Sequence, residues 1–286
     1  MKIIERKGFY YIGHSFRKAG KVTYRESYLG KLIPSDIEDK KELFLRRILQ
    51  EDAFIKLEKI RKNFKRQWTN YPESIKKKIL LDFSIDFTYN TNAIEGSTIT
   101  KEETDEIIKE KISPNKPLPD ILETISHSKV FFTALHEKKS LSQGLISDWH
   151  HELFKETKPD IAGKIREYLV RVGDYKAPDW QDLKKLMKEY FDWLEKNKKA
   201  MHSVELAGRA HYKFEKMHPF GDGNGRVGRL IIANLLKKGG YPLLIIDYKN
   251  RKSYYRALKR TENDFVNYFI KRYLSRHKEF LKNPSF

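Results

Sequence analysis

The segment His218 to Arg229 (His-Pro-Phe-Gly-Asp-Gly-Asn-Gly-Arg-Val-Gly-Arg) holds most of the side chains in this 286-residue chain that could perform chemistry together. A run with helical periodicity ends at the histidine and the proline that follows it. Three glycines within five residues come next, and a second apolar run begins at Leu230. Glycines ahead of a helix N-terminus let backbone N–H groups face an anion, and the helix dipole also favours negative charge there.

The charged side chains of this segment suit a phosphate ester. Arg226 and Arg229 are three residues apart, so they share one face of the predicted helix and can hold phosphate oxygens. Asp222 is a carboxylate that can bind Mg²⁺ together with phosphate. A neutral His218 can take the proton of an attacking hydroxyl. The segment therefore predicts phosphate-ester transfer with His218 as the general base.

Two other nucleotide-binding motifs do not explain these glycines. The spacing Gly223-x-Gly225-x-x-Gly228 satisfies the dinucleotide fingerprint, but that fingerprint follows a strand, and this segment follows a predicted helix. The Walker sequence is absent because no Gly-Lys-Ser/Thr occurs in the chain.

The twelve residues resemble the signature of the Fic (Fido) family, His-x-Phe-x-Asp/Glu-Gly-Asn-Gly-Arg-x-x-Arg, at every fixed position. The resemblance implies a helical core and transfer of AMP from ATP to a Ser, Thr or Tyr hydroxyl of a protein. It also implies a role for each motif residue: His218 as catalytic base, Asp222 as Mg²⁺ ligand, Gly223, Asn224 and Gly225 around the α- and β-phosphates, and Arg226 and Arg229 at the β/γ end.

A second segment, Thr91-Asn-Ala-Ile-Glu-Gly96, resembles the inhibitory motif of the same family. The resemblance implies that Glu95 pairs with Arg229 and keeps the γ-phosphate from binding productively. A carboxylate at that place would repel the triphosphate and occupy its arginine partner. Thr91 lies four residues before Glu95, so the two share a helix face. The alternative is an ordinary helix end with Gly96 just after it.

The resemblance extends to two further features. The β-prone segment Lys164–Ala177 corresponds in position to the family's flap, a hairpin that can add a strand to a target peptide. Tyr254 and Tyr255 lie where relatives place aromatics beside the nucleotide, although such tyrosines also serve as core residues. Relatives often carry an Asn near the adenine where this chain has Glu262, which leaves strict use of ATP open.

The sequence predicts a mainly α protein with four regions. Residues 1–34 form an N-terminal β-hairpin region, 35–74 accessory helices, 75–275 the catalytic core with the inhibitory helix, and 276–286 a C-terminal tail. Thr100-Lys-Glu-Glu103 has the capping-box form that starts a helix. We expect further helices at 120–138, 142–155, 179–198, 202–217, 226–239 and 251–277, the last one broken, after a proline-rich connection at 113–119.

Composition restricts compartment and partners. The chain has no cysteine and no apolar run long enough to span a membrane, so we expect a cytoplasmic protein without disulfides or a membrane partner. Its net charge of +19 is concentrated in residues 1–70 and 249–286. This excess is typical of a solvated lysine-rich surface, and nucleic acid is the alternative partner. A homodimer, the target protein and the signal that relieves inhibition stay open.

Other functions are also open. His211, Glu215 and His218 fall on one predicted helix face, which suggests a metal-dependent hydrolase, but the glycines and arginines are then unexplained. Adjacent His150 and His151 point apart and indicate an ordinary amphipathic helix. The motif is also compatible with removal of AMP from a modified protein, or with an inactive scaffold that binds nucleotide or nucleic acid.

Overall fold

The computed structural model describes residues 1–18 and 21–282. In this part the chain is mainly helical, with a small N-terminal sheet and a short hairpin, as the sequence predicts. In chain order the elements are β1 Lys2–Arg6, β2 Phe9–Lys18, β3 Lys21–Gly30, α1 Ile37–Asn70, α2 Glu73–Ile94, α3 Lys101–Asp105, α4 Leu118–His136, α5 Gln143–Phe154, β4 Arg171–Val172, β5 Tyr175–Lys176, α6 Leu183–Asn197, α7 Ser203–Met217, α8 Asn224–Lys238, α9 Arg251–Leu258 and α10 Glu262–Arg276.

The chain divides into two compact units, residues 1–59 and 60–286, and the division falls inside α1. The sequence-based boundaries after residues 34 and 74 lie near the ends of this helix instead. Turn residues in a sequence mark where a helix ends, but they do not show which part of a long helix contacts which compact unit.

The N-terminal unit contains an antiparallel sheet in the order β1-β2-β3. The sequence predicts only the hairpin of β2 and β3. Strand β1 has charged residues at both ends around Ile3 and Ile4, too short a pattern to show a strand. Its partner register, with Ile4 opposite Tyr11, supplies the missing information. The predicted turn at residues 17–20 lies partly outside the described residues.

The helical unit buries one continuous apolar core between α2, α4, α5, α6, α7 and α8. Large side chains fill it, including Phe131, Trp149, Phe154, Phe214 and Phe220. Helix α7 packs on both α8 and α10, so the junction of α7 and α8 lies within the core and not on a free loop. No helix of the described residues is both long and apolar enough to cross a membrane.

Local signals place most helix ends within two residues. Thr100 caps α3 as predicted: its backbone N–H donates to Glu103 at 2.8 Å, and its hydroxyl accepts from the Glu103 N–H at 3.2 Å. The break in the last helix is confirmed by α9 and α10. The predicted tail is packed up to residue 282, because Phe280 contacts Phe64 edge-on and its carbonyl accepts from Asn63 at 2.7 Å.

Candidate active site

The loop between α7 and α8 contains two residues in the left-handed backbone conformation. His218 ends α7 with φ 49°, and Gly223 precedes α8 with φ 72°. The Asn224 side chain closes the loop, since Phe220 N–H donates to its Oδ1 and its Nδ2 donates to the Phe220 carbonyl, both at 2.9 Å. In the part of the chain that the structure describes, no side chain caps α8, so its first N–H groups can hold an anion.

His218 is held in one orientation by its backbone and ring. Arg166 donates to the His218 carbonyl at 2.8 Å, and the ring Nδ1 lies 3.4 Å from the Glu215 carbonyl. With the proton on Nδ1, this contact leaves Nε2 as the acceptor. Burial, and then the charge of Arg166, lowers the pKa of His218. The imidazole is therefore neutral near pH 7, as a general base requires.

His150 positions the loop from α5. The Gly163 N–H donates to its Nδ1 at 2.9 Å, so its Nε2 carries the proton and donates to the Asp222 carbonyl at 3.0 Å. Its ring stacks on Phe220 with centroids 3.9 Å apart. Burial lowers the pKa of His150 to about 4, which keeps it neutral and this tautomer fixed.

Asp222 faces cations at the start of α8. Its Oδ2 accepts from Lys158 Nζ at 2.6 Å, and both its oxygens lie 3.4 Å from Arg226. Burial alone would raise the pKa of Asp222, but the Arg226 charge and the Lys158 contact outweigh it and lower the pKa to about 2. The carboxylate is therefore ionised at neutral pH.

Glu123 of α4 is a second carboxylate that holds Arg226, in addition to Asp222. Glu123 and Arg226 form an ion pair, and Lys158 Nζ lies 3.2 Å from the same carboxylate. The Arg226 guanidinium also lies over the Phe154 ring, 4.4 Å from its centroid. Arg226 is thus fixed by an aromatic ring and two carboxylates.

Arg229 is joined to the end of α2. It is 2% exposed, and its Nη2 donates to Glu95 at 2.5 Å and to the Thr91 carbonyl at 3.3 Å. A Cβ on Gly225 would lie only 2.2 Å from Glu95 Oε1. The carboxylate therefore lies against the first turn of α8, where a bound anion would meet the N–H groups.

A comparison with protein-family models finds a match around this loop. Residues 140–236 match the model described as the Fic/DOC family. This chain carries a Fic/DOC domain. The matched segment includes the loop, both arginines and the flap, but it ends before α9 and begins after Glu95.

Curated relatives extend the match. A protein of Nematostella vectensis named protein adenylyltransferase Fic is 33% identical over 189 residues, which are 64% of this chain and 44% of that protein. One of Drosophila ananassae with the same name is 32% identical over 188 residues, 64% of this chain and 38% of that protein. The chain thus spans less than half the length of these relatives.

Solved structures share the fold of the Fic/DOC domain. A Fic domain containing signaling protein from Bacteroides thetaiotaomicron has a TM-score of 0.70 at 24% identity, over 79% of this chain and 96% of that one. A Fic-1 structure from C. elegans gives 0.70 at 24%, over 82% and 72%. Both likenesses concern the fold alone.

The predicted row of His211, Glu215 and His218 does not form a metal site in the part of the chain that the structure describes. His211 Nε2 lies 2.7 Å from the Tyr254 hydroxyl, and its other nitrogen lies beside Gly228. Burial raises the pKa of Glu215 to about 7, although Arg229 opposes this. Among the described residues no group of three or more His, Cys, Asp or Glu is arranged to hold a metal.

A short hairpin lies within the predicted flap segment Lys164–Ala177, but its strands are only two residues long and residues 164–170 form no strand. Strands β4 and β5 pair antiparallel across Gly173 and Asp174. Arg166 donates to the Tyr168 and Pro178 carbonyls at 2.6 and 2.7 Å, so the guanidinium that holds His218 also ties both ends of the flap together.

The two candidate tyrosines differ. Tyr254 is 1% exposed with its hydroxyl on His211, so the structure places it in the core. Tyr255 is partly exposed, and its hydroxyl donates to the Ile94 carbonyl at 3.1 Å, one residue before Glu95. Of the pair, Tyr255 stays the candidate for contact with a base, and it also fixes the end of α2.

Sequence reasoning missed four residues of this site: Glu123, His150, Lys158 and Arg166. The spacing of His150 from Ile146 and Phe154, four residues on either side, puts this histidine on the apolar face of a predicted helix and was a usable signal for it. The other three come from separate segments with ordinary surface composition, and only the packing brings their charges to Asp222, Arg226 and His218.

Proposed function

We propose that the Fic/DOC domain of this chain transfers AMP from ATP to a hydroxyl side chain of a protein. The observation that carries the proposal is the joint position of a neutral His218, the uncapped N-terminus of α8 and two buried arginines on its first turns. The names of the curated relatives, protein adenylyltransferase Fic, support the same reaction.

The chemistry follows from these groups. The target hydroxyl loses its proton to His218 Nε2, and its oxygen forms a bond to the α-phosphorus. The bond from that phosphorus to the pyrophosphate breaks, and pyrophosphate leaves. The N–H groups of Gly225 and its neighbours and the guanidinium of Arg229 stabilise the negative charge that moves onto the phosphate oxygens.

Asp222 fits a magnesium ion, because it is ionised and stands at the edge of the phosphate cradle. Mg²⁺ commonly binds through one carboxylate and the substrate's phosphates. The metal would supply charge neutralisation on the phosphates when bound. Lys158 now occupies one oxygen of this carboxylate, so it must move away for a metal to share that oxygen.

Autoinhibition is the second part of the proposal. Glu95 occupies Arg229 and lies against Gly225, so a γ-phosphate and this carboxylate would compete for one guanidinium. Gly96, with φ 98°, ends α2 just after Glu95, and Thr91 contributes its carbonyl to the same arginine. The helix-end interpretation and the inhibitory one thus describe the same residues without conflict.

The test is intact mass after incubation with ATP and Mg²⁺, on the purified protein and on lysate proteins. Glu95→Gly should add the mass of one AMP at least about tenfold faster than wild type, which requires only about 1.4 kcal/mol. Adding His218→Ala should slow this by at least about 10²-fold while ATP still binds. Adding Arg229→Ala should cancel the gain, because the γ-phosphate loses its partner.

Different failures have different meanings. If Glu95→Gly is no faster than wild type over a range of ATP and Mg²⁺ concentrations, autoinhibition is wrong. If wild type removes AMP from a modified protein faster than Glu95→Gly does, Glu95 serves the reverse reaction. Equal labelling by the His218→Ala protein would exclude His218 as the base.

A further inference from the structure

One face of the N-terminal sheet carries aromatic rings that remain accessible. Ile12 of β2 points to the opposite face and is 1% exposed. The accessible face holds Phe9, Tyr11, Tyr24 and Tyr28, which we call the aromatic face; Tyr24 is 46% exposed and Tyr28 57%. Phe9 and Tyr11 are partly buried beside them, and a contiguous aromatic surface with exposed rings is a feature of interaction sites.

The strand register assembles these rings from two distant segments. Tyr11 of β2 lies opposite Tyr28 of β3, and their ring centroids are 5.4 Å apart. Phe9 lies 6.0 Å from Tyr28 on the same face. Gly13 allows Tyr24 to lie across the sheet, since a Cβ there would fall 2.0 Å from the Tyr24 hydroxyl oxygen. The result is a row of rings along a hydrogen-bonded platform.

Arg6 and Lys2 are cations on the same face as the row. The Arg6 guanidinium lies 5.5 Å from the centroid of the Tyr11 ring and also pairs with Glu26. Lys2 shares the face, because it lies opposite Gly13. Residues 1–31 contain eight Lys and Arg against two Glu. The platform therefore suits a partner that is a polyanion.

We propose that the aromatic face binds single-stranded nucleic acid. Bases stack on exposed aromatic rings, and phosphates are attracted to nearby cations. A duplex keeps its bases stacked on each other and would not use the rings. Tyrosine and arginine are also enriched where proteins bind other proteins, so it is the excess of eight cations over two carboxylates in residues 1–31 that favours a polyanion with bases to stack. The chain thus joins a nucleic-acid surface to a transferase site.

The test is fluorescence anisotropy of labelled single strands of RNA and DNA and of the matching duplex, with the full chain at several salt concentrations. We expect at least one single strand to bind more tightly than the duplex. Its affinity should fall as salt rises, with a slope of about 0.7 per phosphate contacted.

Variants separate stacking from charge. Tyr28→Ala and Tyr11→Ala should each weaken single-strand binding about fivefold or more, whereas Tyr28→Phe, which keeps the ring, should bind like wild type. Trp180→Ala is the matched control, since it removes an exposed ring of the helical unit. Circular dichroism of each variant verifies that the sheet is retained.

Three results would overturn the proposal. The first is no binding of either single strand at low salt. The second is equal binding of duplex and single strands that the alanine variants leave unchanged, which would show charge attraction without stacking. The third is a dimer in sedimentation that Tyr28→Ala dissociates, because a second copy would then be the occupant.

Discussion

Two arginines in the first turns of α8 each pair with a carboxylate from another helix, and the two pairs differ in position. Glu123 lies within α4, is 13% exposed, and is shared between Arg226 and Lys158. Glu95 directly follows α2, and its side chain is 26% exposed. It lies against the backbone of α8 at Gly225 and also pairs with Arg229.

The difference shows that an ion pair can do one of two things in a binding site. A carboxylate beside the ligand position holds a cation where the ligand needs it, and this is the role that we propose for Glu123 at Arg226. A carboxylate in the ligand position competes with the ligand, and this is the role that we propose for Glu95 at Arg229. Only the second kind of carboxylate can inhibit, because only its removal leaves an arginine contact that a phosphate of the ligand can take.

The largest predicted effects are on stability and on its response to ATP. Glu95→Gly leaves the buried Arg229 guanidinium without its carboxylate and should lower the free energy of unfolding by about 3–5 kcal/mol. Glu123→Ala should lower it by less, because Arg226 keeps its contact with Asp222. Saturating ATP should then raise the melting temperature of Glu95→Gly more than it raises that of wild type, since the triphosphate replaces the lost carboxylate. For Glu123→Ala the rise should be no larger than for wild type.

Thermal melting with and without ATP measures this contrast. If Glu123→Ala fails to fold, Glu123→Gln replaces it in the comparison, because glutamine keeps the shape of the side chain and one acceptor oxygen for Arg226 while it removes the charge. If ATP raised the melting temperatures of Glu123→Ala and Glu95→Gly equally, both carboxylates would compete with the nucleotide. The proposed difference between the two pairs would then be wrong.

The same contrast explains what the sequence could predict. The residues His218 to Arg229 are contiguous, so their chemistry is readable from spacing, and the helix order around them follows from periodicity and caps. Glu95 was found only because it belongs to a second recognisable motif. Glu123 and Lys158 have no motif, and their roles arise from how α4 and the segment after α5 pack beside α8.

The N-terminal unit shows a second limit. Tyr11 and Tyr28 are 17 positions apart, and neither strand alone has a nucleic-acid signature. The pairing register and the bulge between Tyr10 and Tyr11 bring the rings together. Strand pairing depends on contacts between segments, which a single sequence does not display.

A smaller effect is expected at Lys158. It holds Asp222, so Lys158→Ala should free this carboxylate and tighten Mg²⁺ binding in the presence of a non-hydrolysable ATP analogue by about fivefold, the scale of a partly exposed ion pair. Calorimetric titration of Mg²⁺ measures this. Lys155→Ala is the matched control, since it breaks the Lys155–Glu152 pair one turn earlier, at 2.8 Å. Weaker binding in Lys158→Ala would mean that the lysine supports the phosphates directly.

The smallest effect concerns Glu262, which the family resemblance leads us to expect near the adenine. Its carboxylate accepts from Arg209 at 2.9 Å and lies 2.9 Å from Lys213, both on α7. Burial would raise the pKa of Glu262, but these two cations outweigh it and lower the pKa. Glu262 therefore resembles Glu123 in being engaged by two cations.

We expect Glu262→Asn in the Glu95→Gly background to change the preference for ATP over GTP by less than about twofold, because a side chain engaged with Arg209 and Lys213 has little differential contact with either base. Competition between the two nucleotides, read by intact mass, measures the ratio. Glu262→Gln, which keeps the length of the side chain, is the control. A tenfold shift in preference, equal to about 1.4 kcal/mol, would show that Glu262 leaves its cations to meet the base, and it would then belong with Glu95 as a residue of the ligand position.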